Sequence, residues 1–432
     1  MSMTRSNGTM TIGDVVTKLI GEDAPFRVTA YDGSSGGNPD APYAVHIENE
    51  RGIRYLITHP GELGLARAYV SGDLTLSGVD LGDPYDFLNV FWSGFEPKTP
   101  PLREIPAILS AVGLGALKPP PPPPQEAPSP WRRAVEGLRH SRKRDSEAIH
   151  HHYDVSNEFY EMVLGDSMTY TCACYPGEDS TLEEAQFHKY DLVCKKLGLV
   201  PGMRLLDIGC GWGGMVRHAV EHYGVTALGV TLSREQATWG QQKVKELGLD
   251  DRAEIRYSDY RDVAETGFDA LSSIGLTEHI GVRNYPTYFQ FAMEHLRDGG
   301  RMLNHSITRP DNKAPSLTKG GFIDRYVFPD GEITGVGTII TAMQDQGLEI
   351  RHVEDLREHY ARTCRAWCVN LSENWDACVA EAGEPTAKIW GLYLAGSSLS
   401  FETNRIQLHQ VLGVKVPQSG DASYPLRPTF GV

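Results

Sequence analysis

The sequence is short of the features that place a protein across a membrane or outside the cell. In 432 residues there is no apolar run of about 18, so no segment is long enough to span a bilayer as a helix. The opening residues, Met1-Ser-Met-Thr-Arg-Ser-Asn-Gly8, lack the apolar stretch of a secretory signal. Cysteine is scarce and odd in number: seven residues with no repeated pairing fit a reducing cytoplasm better than a disulfide framework. Cys172 and Cys174 form an isolated C-x-C without a second pair nearby, so no zinc site and no other metal is expected. Basic residues are outnumbered, 41 against 56 acidic, and the formal net charge of −15 argues against nucleic-acid binding. Missing too is the G-x-G-x-x-G turn with an acidic residue closing the next strand, so a pyrophosphate cofactor is the weaker expectation.

What is present centres on Leu205-Leu-Asp-Ile-Gly-Cys-Gly-Trp-Gly-Gly214. A short apolar run ending in Asp207 and then a glycine cluster is how a buried parallel strand enters a ligand-gripping turn. Glycine lets the backbone approach a ligand closely, and the following helix offers unpaired N–H groups. A second apolar strand ends in Gly229-Val-Thr-Leu-Ser-Arg-Glu-Gln236, which puts Thr231 and Gln236 where a doubly wound sheet meets a ribose. Without further context the same glycines make an ordinary strand–helix turn.

The clearest break in the chain is Pro119–Pro124 followed by Gln-Glu-Ala-Pro-Ser-Pro130, which is expected to be an extended polyproline spacer. This divides the chain into an N-terminal α/β accessory domain over 1–117, a linker over 118–130 and a larger domain over 131–432. In the first domain, Phe26–Tyr31, Tyr43–Glu48 and Ile53–Thr58 read as strands, with short helices at Gly61–Gly72 and Pro84–Phe91. Just past the linker, Trp131–Arg144 carries six basic residues against the single acid Glu136. That segment is either a solvated helix face or a docking strip for anionic headgroups, at about 1 kcal/mol per basic residue.

The larger domain alternates strand and helix. Strands are expected at Arg204–Ile208, Thr226–Val230, Ala253–Tyr257, Phe268–Ile274 and Arg301–Ile307. Helices are expected at Gly213–His222, Ser233–Leu247 and Asn284–Leu296, the second opened by a Ser233/Gln236 capping box. The pattern predicts a doubly wound, mostly parallel α/β sheet with ligands at the carboxyl ends of its strands. Polar residues just beyond those ends are therefore the ones to weigh: Glu278 and His279, His305, Tyr170 with Thr171 and Cys172, and Tyr360. Taken singly, each reads more readily as a satisfied core residue. The run His150-His-His152 is a poor metal site, because adjacent helical residues point in different directions.

Taken in order, these motifs resemble one family. His152-Tyr-Asp-Val-Ser-Asn157, Tyr170-Thr-Cys-Ala173, Leu206–Gly214, Gly229–Gln236, Glu278-His-Ile-Gly281, Tyr326-Val-Phe-Pro329 and Ile406–Val411 are similar to motifs of the cyclopropane-fatty-acid synthases and the related mycolic-acid and fatty-acid methyltransferases. The resemblance implies a class I methyltransferase fold with a seven-stranded sheet and S-adenosylmethionine as cofactor. It implies cofactor contacts at Tyr170, Thr171, Asp207, Gly209, Gly211, Thr231, Gln236, Tyr260 and Arg261. It further implies a bicarbonate base held at Cys172, Glu278, His305, the backbone of Ile307 and Tyr360, and a cis double bond in a phospholipid-bound or mycolate acyl chain as substrate.

The sequence departs from the cyclopropane-forming pattern around this site, with Cys174, Leu276-Thr277, Asn304, Thr308, Cys368 and Ser397 at positions where the family usually differs. Glu147 offers a protein carboxylate as base in place of bicarbonate; its other reading is a surface carboxylate beside the basic segment. These departures resemble the actinobacterial branch that adds a methylene or methyl group to oleoyl chains. The implied product is a 10-methylene-stearoyl lipid, saturated by a separate reductase, with cyclopropanation as the alternative. A cytoplasmic protein peripheral to the inner membrane face is expected, with a homodimer compatible with the linker. A non-catalytic lipid-binding relative and a small-molecule methyltransferase are the readings from other classes.

Overall fold

A computed structural model describes residues 10–93, 98, 100–126, 155–315 and 320–430. Glu147, the basic segment 131–144 and the histidines at 150–152 lie outside the described residues. Its contacts group the chain into two compact units. One comprises Met1–Ala127, Gly320–Val327 and Leu371–Gly396; the other comprises Pro128–Lys319, Phe328–Asn370 and Ser397–Val432. These groups do not follow sequential boundaries at 117 and 131, because segments remote in sequence complete the first unit.

The first unit begins with α1 (Ile12–Ile20), β1 (Phe26–Ala30), β2 (Ser35–Gly37) and β3 (Tyr43–Ile47). Then follow α2 (Glu50–Thr58), α3 (Glu62–Val70), β4 (Leu74–Ser77), α4 (Tyr85–Ser93) and α5 (Ile105–Val112). Its sheet runs β2-β1-β3-β4, and only β1 and β3 are parallel. The strand expected at Ile53–Thr58 is instead helix α2. Its β-branched residues suggest a strand, but Asn49 accepts the Gly52 N–H as an N-cap. Ile53, Leu56 and Ile57 then fall at helical spacing and pack on the sheet with Phe26, Val28 and Val45.

The proline run is not a free spacer where it is described. Pro120 and Pro123, three residues apart as on one face of a polyproline helix, are buried, and the chain then turns so that the Glu126 N–H donates to the Pro123 carbonyl at 3.0 Å and Glu126 is buried too. Tyr55 Oη donates to the Pro121 carbonyl at 2.6 Å, and Arg54 Nε to that of Lys118 at 2.9 Å. Glu126 is clamped by Arg67 (2.6 and 2.7 Å) and by Arg325 Nε (2.8 Å). Burial pushes its carboxyl pKa up, but the two guanidinium groups outweigh that and hold it below the ordinary value.

The second unit carries α6 (Asn157–Leu164), α7 (Leu182–Leu197), β5 (Arg204–Ile208), α8 (Gly214–Tyr223), β6 (Thr226–Thr231), α9 (Arg234–Glu246), β7 (Ala253–Tyr257) and β8 (Phe268–Ile274). It continues with α10 (Thr277–Ile280), α11 (Tyr285–His295), β9 (Leu296–Thr308), α12 (Val336–Asp345), β10 (Leu348–Asp355) and α13 (Arg357–Glu373). Helix α14 (Trp375–Ala382) and most of α15 (Glu384–Glu402) belong to the first unit, and the second ends in strand β11 (Gln407–Lys415). Seven strands form one sheet in the order β10-β11-β9-β8-β5-β6-β7. The run from β9 to β7 is parallel, and β11 and β10 add antiparallel pairs. Such a sheet, apolar on both faces under its helices, is what the alternating sequence dictates. Sequence order reverses between β8 and β5, and a ligand crevice opens at the carboxyl ends of strands at such a point.

Candidate active site

Strand β5 ends in Asp207-Ile208, and the chain turns at Gly209 (φ 76°) and Gly211 (φ 55°), backbone that a side chain adopts only with strain. A Cβ at Gly209 would press on Leu276, whereas one at Gly211 would enter open space. Gly211 therefore leaves a cradle in front of the strand end. Asp207 is buried and accepts from Ser272 Oγ on β8 at 2.7 Å, and its burial raises its pKa to about 6. At the end of β6, Thr231 Oγ1 donates to Gln236 Oε1 at 2.8 Å, while Ser233 Oγ accepts the Gln236 N–H. The expected capping box is thus half formed, because the Gln236 side chain turns to Thr231 instead of back to the cap. Beyond β7, Arg261 is engaged with Asp259 (2.8 and 2.6 Å), and the Tyr260 ring lies edge-on to Tyr288 and Phe291.

The segment 169–175 is held from two sides. Helix α7 grips one side: Gln186 Nε2 donates to the Thr171 carbonyl (2.9 Å), Lys189 Nζ to Thr171 Oγ1 (3.0 Å), and the Ala185 carbonyl accepts from Cys174 N. From the other side, Thr363 Oγ1 on α13 accepts the Ala173 N–H at 3.0 Å and His359 Nδ1 accepts that of Tyr175. These five hydrogen bonds, at Thr171, Ala173, Cys174 and Tyr175, thereby fix the backbone that carries Tyr170 and Cys172. Tyr170 packs on Trp367 (ring centroids 5.5 Å apart) and Tyr160 (5.9 Å), and Tyr160 packs on Trp212 (4.8 Å). Tyr360 stacks on Phe401 at 4.5 Å and meets Trp367 edge-on at 6.1 Å. The result is a continuous aromatic wall running from the glycine turn to α13.

The acid–base groups gather at the carboxyl ends of β8 and β9. Glu278 Oε1 accepts the Ile307 N–H at 2.7 Å, so that backbone donor, expected to face a bicarbonate ion, is taken by the protein itself. Glu278 Oε2 is buried without a hydrogen-bond partner among the described residues, and burial raises this carboxyl to about 7. His305, two residues before Ile307, is also buried; its Nδ1 meets Gln410 Nε2 at 3.1 Å and its Nε2 has no partner among the described residues. Burial, with Lys189 and Lys196 nearby, holds His305 well below its ordinary pKa and therefore neutral. The Cys172 thiol is fully buried and pushed well up, so it is a thiol, not a thiolate. Lys189, whose amine donates to Thr171, is brought down to about 7 by burial.

Tyr170, Thr171, Cys172, Asp207, Gly209, Gly211, Thr231, Gln236, Glu278, His305 and Tyr360 all belong to the second unit, on the segments that end at the strand tips or pack on them. Tyr260 and Arg261 follow the outermost strand β7. Sequence reasoning missed Gln186, Lys189, Lys196, Thr363 and Gln410. Polar residues at helical spacing read as a solvated face, and only the residues' position in a family motif drew attention to Gln410. Among the described residues no cluster of three or more His, Cys, Asp or Glu forms a metal site, and no helix is long and apolar enough to cross a membrane.

A parallel sheet with a glycine turn at its reversal point, an open cradle at Gly211 and a polar Thr231–Gln236 pair at the next strand defines a class I S-adenosylmethionine-dependent methyltransferase. Solved structures agree. The cyclopropane synthase MmaA2 from Mycobacterium tuberculosis superposes with a TM-score of 0.59 at 33% identity, covering 64% of this chain and 99% of that one. The mycolic acid cyclopropane synthase CmaA1, complexed with SAH and CTAB, gives the same score and identity over 62% and 98%. The mycolic acid cyclopropane synthetase model matches residues 140–411, and the chain belongs to that family. It is 58% identical over 404 residues, 94% of each chain, to a Mycobacterium tuberculosis protein named as a probable fatty acid methyltransferase. A Pseudomonas putida protein of the same description is 37% identical over 93% of this chain and 94% of its own.

Proposed function

We propose that the protein transfers a methyl group from S-adenosylmethionine to the cis double bond of a phospholipid-bound fatty acyl chain, oleoyl in the first instance. The hydrogen on the methylated carbon then shifts with its electron pair to the adjacent cationic carbon, and loss of a proton from the new methyl group leaves a 10-methylene branch, which a separate reductase saturates. The observation that carries this reading is the pair of buried atoms Glu278 Oε2 and His305 Nε2, without partners among the described residues, in a unit that also holds an aromatic wall. The names of the two relatives above, fatty acid methyltransferases, support the acyl substrate.

When bound, S-adenosylmethionine supplies an electrophilic methyl group. The chain's own residues do the rest. Gly209 and Gly211 would admit the cofactor to the end of β5, and Thr231 with Gln236 would meet its ribose. An alkene is a weak nucleophile, so Tyr170, Trp367 and Tyr360 must hold the π bond in line and keep water out. Their ring faces also stabilise positive charge developing on carbon. A carboxyl held near pH 7, as Glu278 is, is matched to moving a proton under neutral conditions. Cys172, Glu278, His305 and Tyr360 are the groups that would hold a bicarbonate ion if that is the base; Glu147 is the protein carboxylate that would replace it. Basic residues 131–144 would bring the enzyme to anionic headgroups. Cyclopropane formation on the same substrate is the second reading, favoured by the intact Cys172, Glu278, His305 and Tyr360 set and by 33% identity to two cyclopropane synthases.

The test uses S-adenosylmethionine labelled in its methyl group and vesicles of dioleoyl phospholipid. Label released with the acyl chains on saponification supports the reading. Label in the headgroup, or none with oleoyl, cis-vaccenoyl and palmitoleoyl lipids, refutes it. Bicarbonate-free buffer and Glu147→Gln, run separately, assign the base.

A further inference from the structure

Three strands and one helix converge behind His305. In the sheet register Glu354 on β10 stands opposite Gln410 on β11, and Gln410 stands opposite His305 on β9. The three side chains therefore form a row on one face of the sheet, since facing residues of paired strands point the same way. Lys196, near the end of α7, reaches down onto this row. Its Nζ donates to Gln410 Oε1 at 2.6 Å and is paired with Glu354. Lys196, Gln410 and His305 are each about 1% exposed, so water does not compete for these bonds.

The chemistry of the donors leaves little freedom. A lysine ammonium only donates, so the atom of Gln410 that faces it is the carbonyl oxygen. The amide NH₂ is thereby turned toward His305, and it too can only donate. His305 Nδ1, at 3.1 Å from that nitrogen, must accept. A neutral imidazole that accepts at Nδ1 carries its proton on Nε2, the atom left without a partner.

We infer that Lys196 and Gln410 are positioning residues that lock His305 in the Nε2–H tautomer and so present a hydrogen-bond donor, not an acceptor, to the reacting site. The inference rests on the reading of this site given above. With His305 a donor, and Glu278 Oε2 joining it as a donor when protonated, the site is built to hold an oxyanion; the Cys172 thiol donates instead to the Ala173 carbonyl at 3.1 Å. His305 in this arrangement does not itself take the substrate proton; it orients the group that does. Glu354 acts one step further out: burial lowers the Lys196 pKa, and the paired carboxylate opposes that shift.

The test reads the tautomer directly. Full-length protein labelled with ¹⁵N-histidine gives two-bond proton–nitrogen correlations that show which ring nitrogen carries the proton, and His305→Gln assigns the signal. The wild type is expected to be Nε2–H. Gln410→Glu is nearly isosteric and keeps a partner for Lys196, but a carboxylate accepts, so the His305 proton should move to Nδ1. Lys196→Met releases the amide and should give a mixture. In Gln410→Glu, kcat is expected to fall on the order of 100-fold, with the dissociation constant for S-adenosylmethionine within about threefold (under 1 kcal/mol). An Nδ1–H tautomer in the wild type, or an unchanged tautomer in Gln410→Glu, overturns the inference. A tautomer that moves while kcat stays put overturns the oxyanion reading of the site and leaves the tautomer lock standing.

Discussion

Glu278→Gln separates catalytic chemistry from architecture at this site. The glutamine carbonyl can still accept the Ile307 N–H that Glu278 Oε1 accepts at 2.7 Å, so the tie between α10 and β9 survives. What changes is the second oxygen, which is buried and has no partner among the described residues. Burial moves the carboxyl from 4.5 to about 7, and at 1.36 kcal/mol per unit that corresponds to about 3 kcal/mol. The sign follows from proton counting. Between these two values the folded state keeps the proton and the unfolded state has lost it, so wild-type stability falls as pH rises from about 4.5 to about 7. Glutamine does not titrate. The difference in melting temperature, variant minus wild type, should therefore rise by several degrees across that interval and level off above pH 7. Activity should fall on the order of 100-fold or more at every pH, while S-adenosylmethionine affinity stays within about threefold (under 1 kcal/mol). Paired thermal melts at pH steps from 5 to 8, with turnover on dioleoyl vesicles, measure all three. A stability difference that is flat in pH, or that falls as pH rises, refutes the argument.

Further outcomes follow from the same geometry. Gly211→Ala places a methyl group in the open cradle at φ 55°, so cofactor affinity measured by calorimetry should drop about tenfold or more while folding stability changes by only about 1–2 kcal/mol. Lys189→Met removes a buried amine brought down to about 7 from 10.5. Between those values the unfolded chain binds a proton that the folded one does not, so wild-type stability rises with pH there, and the variant's relative stability in melts should decline from pH 7 to 9.5. Glu126→Gln leaves Arg67 and Arg325 buried against a neutral amide, and the first unit should lose about 3 kcal/mol, read as faster proteolysis of the proline arm.

The sheet was legible because a parallel strand and its helix each leave a local period in the sequence, and the Asp207–Gly214 turn announces its own backbone. Where the signal was local but mixed it misled: Ile53–Thr58 reads as a strand by composition, yet Ile53, Leu56 and Ile57 carry the helical spacing. Interactions between distant segments left no such trace. Nothing in residues 320–327 says that Arg325 will meet Glu126. Nor does helix α7 announce that Gln186, Lys189 and Lys196 point inward, since their spacing matches a solvated face. Gln410 and His305 become neighbours only through the register of β11 on β9, which the sequence does not state.

The central claim is methyl transfer to an acyl double bond with proton loss from the branch. Its most direct measurement is the structure of the product made from S-adenosylmethionine and dioleoyl phospholipid, read by mass spectrometry after ozonolysis. A product one CH₂ heavier than oleate that is cleaved by ozone at the branch carbon is expected. A product of the same mass that resists ozone is a cyclopropane and contradicts the methylene assignment, and the absence of any heavier acyl chain contradicts the account itself.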